Sequence, residues 1–358
     1  MVLRWFFDLL KVKITMKHYI IFFVAGMIYF SSCKNNHGPD VSSIKADIQV
    51  VRTENDLFAA NSILELKKIT EKSAPFYDIY MNEILGYKGI PRDSQMILLE
   101  SFIKDSSIVE LQKKTKVPFG DFSKVQSATE QMLRHLKYYF PEKVTRIPNV
   151  YTYISEFGHQ MFIFEDNNGI DGVGIGLDMF LHPAIHYKMI DPENTNFSDY
   201  ITRSWDSDHV AKKLCDIYVA DIVGEAPGHR MIDQMIHNGK QLYISTLLMP
   251  EVHDTVITEY STKQLQWCKE NELQIWSFFL ENKLFYETNL SKIGKYLHPS
   301  PTSPDMPADA PGRTANYVGW KIIDAYMERY PATTVQELLK MTDAQAIMEK
   351  SRYKPERK

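Results

Sequence analysis

Residues 149–178 read NVYTYISEFGHQMFIFEDNNGIDGVGIGLD, and this stretch decides the fold. It contains two aromatic and β-branched runs, residues 149–154 and 161–164, and a third apolar run at residues 173–177 in which glycine alternates with larger residues. Residues of these types favour strands, and the DNNG sequence between the second and third runs is typical of a turn. The stretch therefore predicts three strands of one small sheet. We interpret the alternating glycines as places of close backbone approach, because no phosphate-binding spacing follows them.

The rest of the chain is predicted to be mainly helical. The helical segments suggested by apolar spacing are residues 56–72, 94–116, 121–140, 208–223, 231–248, 261–279, 315–330 and 335–350. Ser261 and Gln264 have the spacing of a capping box at the start of one of them. Residues 299–311 contain five prolines and are expected to form an irregular loop. The predicted fold class is α+β, mainly α-helical with one small β-sheet, and residues 49–358 are expected to form a single globular domain.

The composition excludes several classes of protein. The chain has 358 residues, of which 44% are hydrophobic and 24% are charged, as in an ordinary folded protein. Low-complexity chains and polytopic membrane proteins are therefore excluded. The 41 basic and 45 acidic side chains give a net charge of −4, so there is no electrostatic reason to expect a nucleic-acid partner.

Residues 1–32 have the pattern of a secretory signal peptide. Three lysines precede the apolar run 19–30, which is too short to span a bilayer comfortably as a helix. Two serines then lead to Cys33, the residue that lipoprotein processing would lipidate and make the new N-terminus. We expect residues 1–32 to be removed, with Met16 as a second candidate start, and residues 33–48 to be the lipidated cysteine and a tether. The alternative is a plain signal anchor with a chance cysteine.

Two further cysteines, Cys215 and Cys268, lie in predicted helices beside apolar residues. They are too few for a disulfide scaffold and lack the Cys-x-x-Cys spacing of redox and zinc sites. Buried thiols are the expected state, although the sequence leaves one disulfide between them open.

Candidate site residues follow the third predicted strand and begin the segment 231–248. Asp178 comes directly after an apolar strand and is predicted to be semi-buried, a position typical of functional carboxylates. His229, Asp233 and His237 are spaced by four residues and would share a helical face if the helix extended back to His229. They are weak candidates for a metal site, and the preferred alternative is a polar surface stripe. The His-Glu-x-x-His sequence of zinc hydrolases is absent.

From about residue 50 to the end, the order of several segments resembles the gliding-motility lipoprotein B (GldB) family of Bacteroidota. The strongest resemblance lies in residues 264–284, in the pairs QL, WC, NE and IW and the final ENKL. The other matching stretches are YYFP at 138–141, YTYIS at 151–155, GIGLDM at 174–179, DQMI at 233–236, GK at 239–240, Tyr243, PGR at 311–313, GW at 319–320 and YKP at 353–355.

This resemblance implies a lipoprotein that is needed for surface gliding and is linked to type IX secretion. Its partners would be proteins of the gliding and secretion machinery, together with a membrane held through acyl chains such as palmitate on Cys33. Its location would be the periplasmic face of the outer membrane. No cofactor is implied.

The resemblance also implies a distant likeness to gluzincin-type metallopeptidases, in which residues 208–223 would match the zinc-binding helix. The family pattern has Glu-Gly-Lys where a peptidase would place its third zinc ligand, and Asn238 replaces that Glu here. We therefore expect a degenerate, non-catalytic peptidase-like fold with a residual cleft near Asp178, Asp233, Asn238 and Lys240. The alternative is a metal-dependent hydrolase that uses the unconventional set His229, Asp233 and His237.

Overall fold

The predicted sheet is present in the computed structural model, which describes residues 38–355. Strands β2 (Asn149–Tyr153), β3 (Met161–Glu165) and β4 (Asp171–Gly176) confirm the three predicted strands, and a short strand β1 (Val50–Arg52) joins them. The order is β1-β2-β4-β3, with β1, β2 and β4 parallel and β3 antiparallel at the edge. Strand β1 was not predicted from the sequence, because three residues are too few to show an alternating pattern. The signal segment and Cys33 lie outside the described residues.

The two faces of the sheet pack against different cores. Val150 and Val173 belong to the larger core, whereas the rings of Phe162 and Phe164 belong to an aromatic core on the other face. A Cβ at Gly172 would lie 2.4 Å from the Phe164 ring, and a Cβ at Gly174 would lie 2.5 Å from the Phe162 ring. The glycines of β4 therefore make room for the aromatic side chains of β3, which confirms the prediction of close approach.

Four N-terminal helices cover the aromatic face. They are α1 (Thr53–Ala59), α2 (Ile63–Lys72), α3 (Ala74–Ile79), which continues as a π-helical turn over Tyr80–Ile84, and α4 (Arg92–Lys104). The single helix predicted over residues 56–72 is wrong, because the chain breaks after α1. Ser62 then accepts a hydrogen bond from the backbone N–H of Glu65 at 3.3 Å and begins a new helix.

A second long helix, predicted over residues 94–116, is also divided in the structure. The backbone of Asp105 is extended, and its side chain accepts hydrogen bonds from the N–H groups of Ser107 and Ile108 at the start of α5 (Ser106–Phe119). Pro118 lies inside α5 and does not end it. Capping by Asp105 thus decides the break, which the sequence prediction had placed before the proline.

The remaining helices largely follow the prediction. They are α6 (Ser123–Tyr139), α7 (Asp199–Thr202), α8 (Val210–Val223), α9 (Met231–Leu248), α10 (Asp254–Thr258), α11 (Thr262–Glu270), α12 (Glu272–Glu281), α13 (Leu290–Leu297), α14 (Thr314–Arg329), α15 (Val335–Lys340) and α16 (Ala344–Ser351). The capping box of Ser261 and Gln264 is confirmed. The helices predicted over 261–279 and 335–350 are each broken once, at Asn271 and between α15 and α16. The proline-rich residues 299–311 form turns, as predicted.

Helices α9 and α14 cross at the centre of the C-terminal core. Gly239 of α9 lies against the backbone of Gly319 in α14, so that a Cβ at Gly239 would be 2.3 Å from the Gly319 carbonyl carbon. These two glycines set the close approach of the helices and hence the position of every side chain between them. The predicted α+β class, mainly helical with one small sheet, is confirmed.

Residues 39–355 belong to one compact unit. Within residues 38–355, none of the helices combines the length and apolar character needed to cross a bilayer.

Candidate functional site

Asp178 lies in the turn that follows β4 and is completely buried, not semi-buried as predicted. Its carboxylate accepts hydrogen bonds from the backbone N–H groups of Ser155 (2.9 Å) and Phe157 (2.6 Å) and from the Ser155 hydroxyl. Burial raises its pKa, although these hydrogen bonds oppose the rise. Glu156 and Phe157 both have positive φ angles, so the carboxylate holds a turn of unusual backbone conformation. The structure therefore places Asp178 as the anchor of the loop between β2 and β3.

Helix α9 begins at Met231 and does not extend back to His229, which is exposed in the preceding turn. Asp233 is paired with Arg230, whose Nε and Nη2 lie 2.9 and 2.7 Å from its two carboxylate oxygens. Nε2 of His237 lies 3.2 Å from the Gln241 side-chain amide. The three residues considered for a metal site, which are spaced by four positions, thus do not share one helical face. Across residues 38–355, no group of three or more His, Cys, Asp or Glu residues is arranged to hold a metal ion.

Three of the predicted site residues do share a cavity. Asp233, His237 and Lys240 line a space of about 110 Å³ between α9 and the segment 339–344. The Lys240 ammonium is buried and donates a hydrogen bond to the Met341 carbonyl at 2.6 Å. Burial lowers the pKa of Lys240 to about 8 and also lowers that of His237, to which the charge of Lys240 contributes. Lys240 thereby ties the C-terminal helices to α9.

A second cavity, which we call the α8–α9 cavity, is lined by another predicted site residue, Asn238. It has a volume of about 130 Å³. Its lining residues are Lys212 and Asp216 from α8, Asn238, Gln241, Leu242 and Ser245 from α9, Ile257 from α10, Asn316 from α14, and Glu259 and Arg313 from the connecting segments. The residues contributed by each helix are spaced by three or four positions, with the exception of Leu242, and therefore point the same way.

Ion pairs dominate the electrostatics of the α8–α9 cavity. Lys212 is paired with Asp216 one turn further along α8, and its side chain is only 4% exposed. Burial alone would lower the pKa of Lys212, but the charges of Asp216 and Glu259 outweigh it and raise the pKa. The Asp216 side chain is 41% exposed and extends from this buried pair toward solvent.

Glu259 is held by cations on both carboxylate oxygens. Lys213 pairs with Oε1, and Arg313 donates to Oε2 at 3.2 Å. The backbone carbonyl of Glu259 also accepts a hydrogen bond from Arg203 Nε at 3.2 Å. Burial would raise the pKa of this carboxyl, but Lys213, Arg313 and Lys212 hold it far below its usual range. Glu259 is therefore an ionised, mostly buried carboxylate at neutral pH, with 14% of its side chain exposed.

Amide hydrogen bonds connect the cavity to the crossing of α9 and α14. Asn238 Nδ2 donates to Asn316 Oδ1 at 2.9 Å, and Asn316 Nδ2 donates to the Leu297 carbonyl at 2.8 Å. Asn238 precedes Gly239, so the close helix crossing fixes this amide pair in place. Apart from Asn238, the residues of this cavity were not predicted from the sequence. The signal that could have found them is the Lys212 and Asp216 pair, four residues apart in the mainly apolar helix α8.

Cys215 and Cys268 are free and buried. Cys215 lies in the larger core, which also contains Val150 and Val173, and Cys268 lies in the core around the crossing of α9 and α14. Burial raises the pKa of each thiol to about 12. The expected state of buried thiols is confirmed, and the structure shows no bond between them.

The fold and the site define a mainly helical α+β domain whose interhelical cavity is lined by paired charges and amides. A family model described as gliding motility protein GldB matches residues 34–355. The chain therefore belongs to the GldB family, which implies a role in gliding motility. The searches of curated proteins and of solved structures gave no match.

Proposed function

We propose that this chain is a membrane-anchored lipoprotein facing the periplasm that supports gliding motility and type IX secretion through protein contacts, without catalysis of its own. Membership of the GldB family supports the motility role. The signal pattern before Cys33 supports the anchor, since several acyl chains hold a protein stably to a membrane where one does not.

The pair Lys212 and Asp216 is the observation that carries the non-catalytic part of this proposal. Zinc-binding helices of metallopeptidases present two histidines four residues apart on one face. If α8 corresponds to that helix, as the likeness to gluzincins implies, its cavity-facing pair at this spacing is Lys212 and Asp216. The ammonium of Lys212 supplies the positive charge that a metal ion would bring, and Asn238 replaces the anionic third ligand.

The surrounding charges also oppose a metal ion in the α8–α9 cavity. Lys213, Arg203 and Arg313 surround Glu259 and occupy its acceptor oxygens. A divalent cation entering beside them would meet strong repulsion at short range in a poorly hydrated site. A cavity with charge pairs at its centre supports a binding or scaffolding role.

The test uses a gliding host from which the gene has been deleted. We expect the deletion to abolish colony spreading and to reduce secretion of type IX cargo, and we expect the wild-type gene to restore both. A variant carrying His229→Ala and His237→Ala should restore them equally, because neither histidine is expected to act in chemistry. Cys33→Ala should fail, because the domain would lose its anchor.

Four outcomes would contradict the proposal in different parts. Unchanged colony spreading after deletion of the gene would contradict the motility role. Loss of function in the doubly substituted histidine variant, at wild-type protein levels, would favour the metal-dependent hydrolase. Full function of the Cys33→Ala variant would contradict the proposed lipid anchor. Fractionation of the outer membrane, followed by protease treatment of intact cells, tests the periplasm-facing location, and cleavage of the domain in intact cells would contradict it.

A further inference from the structure

We infer that the α8–α9 cavity is a binding site for a carboxylate group, with the Lys212 ammonium as its main donor. The inference concerns the chemistry of the cavity and does not depend on the motility role.

The first observation is the incomplete hydrogen bonding of Lys212. An ammonium group has three N–H donors. In the part of the chain that the structure describes, the acceptor for this ammonium is the Asp216 carboxylate. The Lys212 side chain is 96% buried (4% exposed) and lines the cavity, so bulk water does not surround its remaining donors. Leaving such donors without an acceptor is costly, and an oxygen-bearing group in the adjacent space would satisfy them.

The second observation is the charge balance around the cavity. The charges of the lining are balanced, with Lys212 and Arg313 against Asp216 and Glu259. Two further cations, Lys213 and Arg203, contact Glu259 from outside the lining. Both oxygens of Glu259 are already occupied by Lys213 and Arg313. Together these side chains therefore carry a formal excess of two positive charges, which favours an anionic ligand over water alone.

The third observation is the size of the cavity and its mixed lining. A volume of about 130 Å³ is well below that of pockets for drug-sized ligands, which span roughly 300–1,000 Å³, but it accommodates an acetate-sized group. Asp216 and Glu259 also border the space and would repel a doubly charged phosphate more than a singly charged carboxylate. The ligand group that fits the cavity is thus a carboxylate. Its source is either a free small acid or an Asp or Glu side chain of a protein partner.

The experiment titrates the full-length protein in detergent with sodium acetate, using sodium chloride at equal ionic strength as the reference, and follows heat of binding and thermal unfolding. We expect saturable binding of acetate and a higher melting temperature than in chloride. Lys212→Met should weaken binding at least tenfold. Lys143→Met is the matched control, because Lys143 pairs at the surface with Asp221, a residue of the helix α8 that also contains Lys212. The Lys143→Met variant should bind acetate as strongly as the wild type.

Two capped peptides that differ by one Glu-to-Gln change distinguish the sources of the carboxylate. Selective binding of the Glu peptide, stronger than that of acetate, would identify a side chain of a protein partner, whereas binding of acetate alone would identify a free acid. Absence of binding for both probes would overturn the inference. So would acetate binding to Lys212→Met at wild-type strength, which would place the acetate elsewhere. If Lys212→Met does not fold, Lys212→Gln takes its place, and the wild-type titration is decisive on its own.

Discussion

Substituting Gly319 with alanine should disrupt the crossing of α9 and α14 that positions the site. A Cβ at this position would lie 1.9 Å from the Met235 carbonyl oxygen, and 2.7 Å from its carbonyl carbon. Both atoms belong to the backbone of Met235 in the second turn of α9, so no side-chain rotation can remove the conflict. The only relief is movement of one helix away from the other.

The cost follows from the size of that movement. Cβ contacts shorter than 3.0 Å essentially do not occur, so the helices would have to separate by at least 1.1 Å, the difference between 3.0 and 1.9 Å. A gap of this order forfeits up to about half of the dispersion energy of each contact across the interface. The side chains that would lose contact, Met235, Ile236, Val318 and Ile322, are at most 2% exposed. We expect Gly319→Ala to lower the free energy of unfolding by about 3 kcal/mol, the upper end for overpacked cores, despite a gain of about 1 kcal/mol in helix propensity.

Urea unfolding followed by circular dichroism measures this effect, and Gly294→Ala is the matched control. Gly294 also lies within a helix, α13, but a Cβ there would lie 3.9 Å from His298 Cδ2, an ordinary van der Waals contact. The control should therefore gain up to about 1 kcal/mol from helix propensity alone. If Gly319→Ala proved as stable as Gly294→Ala, the close crossing of α9 and α14 would be refuted.

Three further predictions concern buried ionisable groups. Because Lys213 and Arg313 hold the pKa of Glu259 below its unfolded value of 4.5, its ionisation stabilises the fold above that pH, and the stabilisation is lost as the pH falls. Glu259→Gln should cost about 3 kcal/mol at pH 7 and should flatten the decline of stability below pH 4.5, and an unchanged acid profile would contradict the buried ion pairs. Burial lowers the pKa of Lys240 from 10.5 to about 8, so the wild type should gain about 2 kcal/mol of stability between pH 8 and 10.5. The Lys240→Met variant should not show this gain. Parallel profiles of stability against pH for the two proteins would show that the lysine is hydrated. Cys215 and Cys268 should react with a thiol reagent only as fast as the protein unfolds, and rapid labelling of the native protein would show that their cores open easily.

The sequence was sufficient to predict the sheet and most helices, because these elements depend on local periodicity. The alternation around residues 149–178 and the glycines of β4 identify the strands and their close packing. The breaks at Ser62 and Asp105 were missed, since a polar side chain that caps a new helix competes with an apolar pattern that continues across it.

The candidate site was only partly predictable. Asp178 was identified from its place after a strand. The sequence could not show that its carboxylate oxygens accept hydrogen bonds from backbone N–H groups of the loop between β2 and β3. The α8–α9 cavity joins residues as distant in sequence as Lys212 and Asn316. In α8, a lysine four residues before an aspartate is ordinarily typical of a solvated helix face. Its burial depends on how α8 is rotated against α9, and the pattern of one helix does not determine that rotation.

The most direct test of the non-catalytic role is the metal content of the full-length protein, purified without chelators and measured by plasma mass spectrometry. We expect the wild type to contain less than about 0.1 zinc per chain. Near-stoichiometric zinc in the wild type, lost when His229 or His237 is replaced by alanine, would contradict the role proposed here and establish a metal-dependent site.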